Sequence, residues 1–166
     1  MHKPGFAIVV MMLLLSATSG LASSLPKADL VLVSKSESKL YLVKGGRWYR
    51  KYHVALGKNP VGHKLEVGDR RTPEGSYVLD YKRQNSAFYK AIHISYPNDT
   101  DRLMAESRGV DPGGQIMIHG QPNNPVWPES KLQQFNWTEG CIAVRNKEMD
   151  EIWMAVEPGT PIEIIP

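Results

Sequence analysis

The sequence contains a single cysteine, Cys141, among its 166 residues. One cysteine cannot form an internal disulfide, so the fold depends on packing alone. The five histidines and this cysteine lack the close spacing of zinc ligands, so we expect no metal. The 20 lysines and arginines form no long run and the net charge is only +3, which argues against nucleic acid as a partner. A mildly positive chain suits a partner that carries carboxylates.

Long apolar runs are also lacking. The run at residues 6–15 is too short to cross a bilayer unaided. It follows the positive start His2-Lys3 and precedes small residues that end at Ala22, a pattern typical of a secretory signal peptide. We therefore predict a signal peptide at residues 1–22, no stable membrane span after its cleavage, and export to the periplasm or cell envelope. An uncleaved anchor, the alternative, needs a longer apolar run.

Neither internal repeats nor low-complexity tracts occur, and the length supports one domain. Short alternating or apolar runs bounded by Gly and Pro predict a mostly β fold with two short helices. Strands are predicted at 29–34, 39–44, 47–55, 76–81, 91–95, 116–118 and 160–165, and helices at 99–107 and 147–156. The segment between His119 and Cys141 is rich in proline and is predicted to be an irregular loop or lid.

Cys141 and His119 are the candidate reactive pair. Each lies next to a short apolar run, residues 142–144 and 116–118, which suits adjacent buried strands that bring the thiol and the imidazole together. Imidazole titrates near neutral pH and can take a proton from a thiol that attacks a carbonyl. A free thiol in an exported protein is either reactive or a small buried hydrophobe, and position alone leaves both interpretations open.

Four motifs occur in a fixed order along the chain. They are RTPEGSYVL at Arg71–Leu79, HISYPN at His93–Asn98, IMIHG at Ile116–Gly120 and TEGCIAV at Thr138–Val144. Together they resemble the YkuD family of L,D-transpeptidases, whose marks are a T-P-x-G turn, an I-H-G strand end and an [S/T]-x-G-C nucleophile motif. The T-E-G-C and I-S-Y-P-N spellings are similar to a YafK-like branch of that family.

The resemblance implies a YkuD-type, β-sandwich-like catalytic domain at residues 28–165. It implies Cys141 as nucleophile and His119 as general base and acid, with the imidazole held by a backbone carbonyl near Gly120. It implies no cofactor, and peptidoglycan stem peptides as substrates. Cysteine attacks the carbonyl of the third residue, usually meso-diaminopimelate, and expels the terminal D-Ala. The thioester then passes to an amine, which cross-links the wall or attaches a protein, or to water.

Two positions depart from the family pattern. Many members have His where this chain has Glu139, and Arg where it has Ala143. If that Arg holds the substrate carboxylate, either Arg145 or a loop cation such as Arg71 must replace it here, or the substrate differs.

The remaining candidate residues surround the nucleophile. Gly140 and Gly120 would allow close approach of backbone to substrate, and the N–H groups of Gly140 and Cys141 are candidate oxyanion donors. Trp137 either stacks on the substrate or packs, and Thr138 either contacts the substrate or stabilises a turn.

Two alternatives to transpeptidation stay open. The same nucleophile used hydrolytically would make a carboxypeptidase or an amidase that releases wall-bound lipoprotein. A non-catalytic wall-binding module on the same fold would carry Cys141 as a merely buried side chain. Substitution of Cys141 by Ala would abolish turnover in either enzyme and leave the module unaffected.

Overall fold

The computed structural model describes residues 25–166 and places them in eight strands and three helices. In chain order these are β1 Leu30–Ser34, β2 Lys39–Lys44, β3 Arg47–His53, β4 Gly75–Ser86, β5 Tyr89–Ile94, α1 Asp99–Arg108, β6 Met117–His119, α2 Glu129–Leu132, β7 Ile142–Ala143, α3 Asn146–Ala155 and β8 Thr160–Ile165. The predicted signal peptide at residues 1–22 lies outside the described residues. Between residues 25 and 166 no helix is long and apolar enough to cross a membrane.

The strands form one sheet in the order β3-β2-β1-β8-β4-β5-β6-β7. Its neighbours are antiparallel except for β1 with β8 and β6 with β7. Ala55, just after β3, forms a bridge with Ala143 of β7, and its two N···O distances are 2.9 and 2.8 Å. β3 and β7 are the first and last strands of this order. The bridge therefore closes the sheet around the core, which gives the sandwich-like shape.

Alternation along the strands explains which face is buried. In β8, Thr160, Ile162 and Ile164 point inward while the residues between them are exposed, as expected for a strand with one face in the core. Val31 and Val33 of β1 do the same in the neighbouring strand and are fully buried. This period of two is the pattern from which the strands were predicted, and the mostly β fold is confirmed.

The two longer helices begin and end close to the predicted positions. Asn98 caps α1 in a capping box with Asp101, and Gly109 ends it at a φ of 68°, in the left-handed region that glycine favours. Helix α3 begins at Asn146, one residue before the predicted start at residue 147, and Arg145 is its cap. A short third helix, α2, interrupts the proline-rich segment that was expected to be irregular.

The largest difference from the predicted elements is β4. It extends to Ser86, well beyond the predicted end at residue 81, and pairs with β5 in a long hairpin. Its second half, Lys82 to Ser86, is polar and carries no core face, so hydrophobic alternation could not reveal it. Backbone pairing with β5 extends the strand instead, and this extension forms one wall of the site.

Candidate active site

Strands β6 and β7 bring the predicted pair together. They are parallel neighbours in which Ile118 is opposite Ile142, so His119 ends one strand while Cys141 directly precedes the other. Both side chains line one cavity of about 220 Å³. Its other walls come from the β4–β5 hairpin and from the start of β6, namely Arg83, Ser86, Ala87, Phe88, Ala91, Gln115 and Met117.

His119 is held in one tautomer by a backbone carbonyl. Its Nδ1 lies 2.7 Å from the carbonyl oxygen of Gly120, which can only accept, so Nδ1 carries the proton and Nε2 is an unprotonated acceptor. Phe88 and Trp137 flank the ring at centroid distances of 4.6 and 5.7 Å. This burial lowers the pKa of His119 to about 4, although the Gly120 hydrogen bond acts in the opposite direction. The imidazole is therefore neutral at neutral pH.

The Cys141 thiol is also neutral. Burial raises the pKa of Cys141, while the Met117 N–H and the charge of Lys64 oppose the rise. The sulfur lies 3.6 Å from the Gln115 carbonyl oxygen, to which the S–H can donate. A neutral thiol beside a neutral imidazole needs proton transfer during attack, because no ion pair exists beforehand.

Gly140 shapes the turn before the nucleophile. Its φ is 137°, and a Cβ at this position would lie 2.7 Å from the carbonyl oxygen of Arg71, so only glycine fits. The contact joins the turn to the segment that opens the T-P-x-G motif, where Thr72 Oγ1 accepts a hydrogen bond from Gly57 N–H at 3.1 Å. Two of the four sequence motifs thus contact each other in the fold.

Thr138 stabilises the same turn. Its hydroxyl donates to the Cys141 carbonyl at 2.7 Å and accepts from Gly140 N–H at 3.2 Å. This geometry fits the turn-stabilising interpretation of Thr138, which does not line the cavity. The Thr138 hydroxyl therefore already accepts a hydrogen bond from Gly140 N–H, which is one of the two predicted oxyanion donors. The other donor, Cys141 N–H, makes no hydrogen bond to any residue between 25 and 166.

Gly120 has a different role from the one expected. A Cβ here would lie 2.5 Å from Asn146 Oδ1 and 2.9 Å from Tyr89 Cβ, and Gly120 N–H donates to the Lys90 carbonyl at 3.2 Å. Glycine at this position therefore permits close packing behind the site. The expectation that Gly120 admits substrate to its backbone stays a prediction, whereas its carbonyl does orient His119.

Neither of the two arginines predicted for the substrate lines the cavity. The Arg71 guanidinium Nη1 lies 3.4 Å from the His63 carbonyl, and its side chain borders a separate cavity with Asp69. Arg145 is exposed and caps α3, where its N–H donates to Glu148. Arg83 of β4 lines the cavity instead. Its position could not be predicted from the sequence, because residues 82–86 show no strand pattern.

The two residues that depart from the family pattern both lie outside the lining of the cavity. The Glu139 carboxylate pairs with Lys58 and with Arg70, whose Nε lies 3.2 Å away, and these cations lower the pKa of Glu139 at the surface. Ala143 is fully buried at the bridge to Ala55. No cation at position 143 is available to this site.

Hydrogen bonds join the segment between His119 and Cys141 to the first residue of α3. Asn146 accepts a hydrogen bond from Gln121 N–H at 2.8 Å and donates from its own N–H to Glu129 at 2.8 Å. Trp137 at the end of this segment packs against Phe88 and His119, which supports the packing interpretation. Its buried Nε1–H has no acceptor within residues 25–166.

Comparison with known proteins identifies the class to which this fold and site belong. The profile of the L,D-transpeptidase catalytic domain, YkuD, matches residues 28–164. The chain therefore belongs to the YkuD family of L,D-transpeptidases.

Individual relatives agree with this assignment. YafK of Escherichia coli strain K12, a candidate L,D-transpeptidase, is 30% identical over 149 residues, which cover 82% of this chain and 53% of YafK. Pgp2 of Campylobacter jejuni, a helical cell shape determining protein, is 26% identical with a TM-score of 0.63 and coverages of 81% and 46%. L,D-transpeptidase 1 of Mycobacterium tuberculosis shares the fold at 17% identity, with a TM-score of 0.51 and coverages of 82% and 60%. The chain thus spans about half the length of YafK and Pgp2.

Proposed function

We propose that the protein is an exported cysteine L,D-transpeptidase that acts on peptidoglycan stem peptides in the periplasm or cell envelope. The observation that carries this proposal is the shared cavity of Cys141 and His119, in which a backbone carbonyl fixes the imidazole with Nε2 free to accept a proton. Membership of the YkuD family supplies the substrate class. The proposed reaction needs no cofactor, and either wall cross-linking or protein attachment follows from the choice of acceptor amine.

Acylation follows from the protonation states of the pair. Nε2 of His119 takes the thiol proton while the Cys141 sulfur adds to the carbonyl carbon of the third stem residue. The Cys141 N–H is the proposed donor to the oxyanion, and the neighbouring Gly140 N–H can join it only by leaving Thr138. Collapse breaks the amide bond, His119 returns the proton to the leaving amine, and D-Ala departs from a thioester.

Deacylation repeats the proton transfer with a second nucleophile. His119 accepts a proton from the incoming amine, the new amide forms, and the thiolate regains its proton as the thioester breaks. Water in place of the amine would give a carboxypeptidase, or an amidase that releases wall-bound lipoprotein.

Intact-mass spectrometry of residues 23–166 with a disaccharide-tetrapeptide tests the proposal. The wild type should gain the mass of the stem lacking D-Ala, and later yield cross-linked dimers. Cys141→Ala should gain none, and His119→Gln should acylate at least 100-fold more slowly, since general-base catalysis contributes about 10²- to 10⁴-fold. His93→Gln is a matched control, because His93 does not line the cavity and pairs with Asp80 at 2.7 Å.

The alternatives give different products. Tripeptide without dimers, or lipoprotein released from purified sacculi, would replace transfer by hydrolysis. Sacculus binding that is equal for wild type and Cys141→Ala, with no adduct in either, would identify a non-catalytic wall-binding module.

A further inference from the structure

Arg83 lies on the same face of the sheet as the catalytic pair. It is opposite Ala91 of β5, which is in turn opposite His119 of β6. Neighbouring strands are about 4.8 Å apart, so the Cα atoms of Arg83 and His119 are separated by about 10 Å. Arg83 lines the cavity that Cys141 and His119 also line.

The guanidinium of Arg83 is available to a ligand. Arg83 is exposed and forms neither a hydrogen bond nor an ion pair through its side chain within residues 25–166. The nearby lysines, in contrast, already have partners. Lys90 pairs with Asp150 at 2.7 Å, and Lys82 donates to the Trp153 carbonyl at 2.8 Å. A free guanidinium at a cavity wall presents a planar fork of donors that matches a carboxylate.

Among residues 25–166, no other charged side chain lines this cavity. Its remaining walls are apolar or neutral, and Cys141 and His119 are themselves uncharged at neutral pH. Among the described residues, no lining carboxylate competes for Arg83. The cavity therefore favours a substrate with a negative group close to the reacting carbonyl.

We propose that Arg83 determines specificity by binding a free carboxylate of the stem peptide beside the scissile amide. This inference rests on the proposed function. A donor stem offers two such groups: the terminal carboxylate of the leaving residue, and the side-chain carboxylate of a third-position diaminopimelate. Arg83 supplies from β4 the cation that position 143 lacks, and it disfavours substrates whose leaving amine carries no nearby carboxylate.

Amidated substrates test the assignment. The rate of leaving-group release is measured with a meso-diaminopimelate tetrapeptide, with its C-terminal amide, and with its diaminopimelate side-chain amide. Arg83→Gln should lower kcat/KM for the free acid by about 10- to 100-fold, the usual effect of losing a charge-assisted hydrogen bond. Arg83→Lys should recover part of this loss. One of the two amides lacks the carboxylate that Arg83 binds. With that amide, the wild type should already have a low kcat/KM, and Arg83→Gln should lower it no further.

Controls separate binding from folding. Arg47→Gln removes another exposed arginine, on β3, that does not line the cavity, and should leave kcat/KM unchanged. Thermal unfolding of Arg83→Gln should match the wild type. The amidated substrate with which Arg83→Gln causes no further loss of kcat/KM identifies the carboxylate that Arg83 binds.

Two results would overturn the assignment in distinguishable ways. Equal slowing of all three substrates by Arg83→Gln, or no slowing at all, with normal Cys141 acylation, would reject Arg83 as the specificity residue. Absence of a Cys141 adduct in the wild type with every substrate would reject the proposed function and this assignment with it.

Discussion

His119 and Cys141 are both neutral because burial acts in opposite directions on a base and on an acid. Transfer from water disfavours the charged form of each, so the imidazole loses its proton more readily and the thiol holds its proton more tightly. The resting site thus differs from one that stores a thiolate beside an imidazolium. In the proposed reaction, charge appears only when substrate is attacked, next to the proposed oxyanion donors.

The pH dependence of Cys141 reactivity follows from these shifts. With a His119 pKa of about 4, the base is available throughout the neutral range, and acylation should fall only as the pH approaches 4. Alkylation of the thiol by iodoacetamide should rise with pH without a plateau near neutrality, because the pKa of Cys141 is raised. His119→Gln should change alkylation little. A neutral-pH plateau that this substitution abolishes would show a preformed ion pair instead.

Gly140 allows a second prediction for a single residue. Gly140→Ala should destabilise the protein by about 3 kcal/mol or more and slow acylation, because it combines backbone strain at a φ of 137° with a contact of 2.7 Å to Arg71. Gly45→Ala is the matched control, since Gly45 also has a positive φ, 57°, but nothing lies within 4 Å of its Cβ position. Urea unfolding of both variants gives the comparison. Equal losses would show that strain alone matters.

Among the elements, the long loop between β3 and β4 depends on one buried lysine. The Lys35 side chain is 2% exposed, and its Nζ donates to the carbonyls of Gly62 and Thr72 at 2.6 and 2.9 Å and to Glu74 Oε1 at 2.8 Å. These bonds satisfy loop groups that hydrophobic packing cannot satisfy. Through Thr72, they also support the backbone against which Gly140 packs.

Lys35→Met should therefore destabilise the protein by about 3 to 5 kcal/mol, because it leaves the buried acceptors and Glu74 without a partner. Amide hydrogen exchange should accelerate first in residues 57–74. Lys44→Met, on the neighbouring strand, should cost under about 1 kcal/mol, since its ion pair with Asp29 is exposed and 3.8 Å long. Similar losses in the two variants, by urea unfolding, would contradict the structural role of Lys35.

The β4–β5 hairpin shows where prediction from sequence failed within an element. Residues 76–81 were recognised because Tyr77 and Leu79 alternate with exposed residues, whereas the extension to Ser86 has no buried face. A register shift between Leu79 and Lys82 further breaks the period. Hairpin pairing with β5, and not hydrophobic alternation, forms this part of β4, and it places Arg83 at the cavity.

At the scale of the whole molecule, the bridge between Ala55 and Ala143 closes the sheet. Both residues are almost completely buried, at 1% and 0% exposure, and their mutual hydrogen bonds join the two ends of the strand order. Cys141 lies two residues before this closure. The position of Cys141 therefore depends on contacts between segments nearly 90 residues apart.

Ala143→Arg, which restores the common family residue, should destabilise this chain by more than about 3 kcal/mol, since it places a charge without a partner in a fully buried position. The loss would appear as a lower thermal midpoint and as increased exchange of the Ala55 and Ala143 amides. Ala87→Arg, at the hairpin tip, is the control and should unfold like the wild type. An Ala143→Arg variant with wild-type stability and improved turnover would instead show that the site accepts a cation there.

Local patterns in the sequence determined most strands, both longer helices and the identity of the candidate pair. Strand alternation and helix caps involve neighbours a few residues apart, and the ordered motifs around Cys141 and His119 indicated the family. Only the tertiary structure decided that Arg83 faces the cavity, that Arg71 and Arg145 do not line it, and that Gly120 serves packing. These facts depend on strand register and burial, which arise from contacts between distant segments and leave no periodic trace in the sequence.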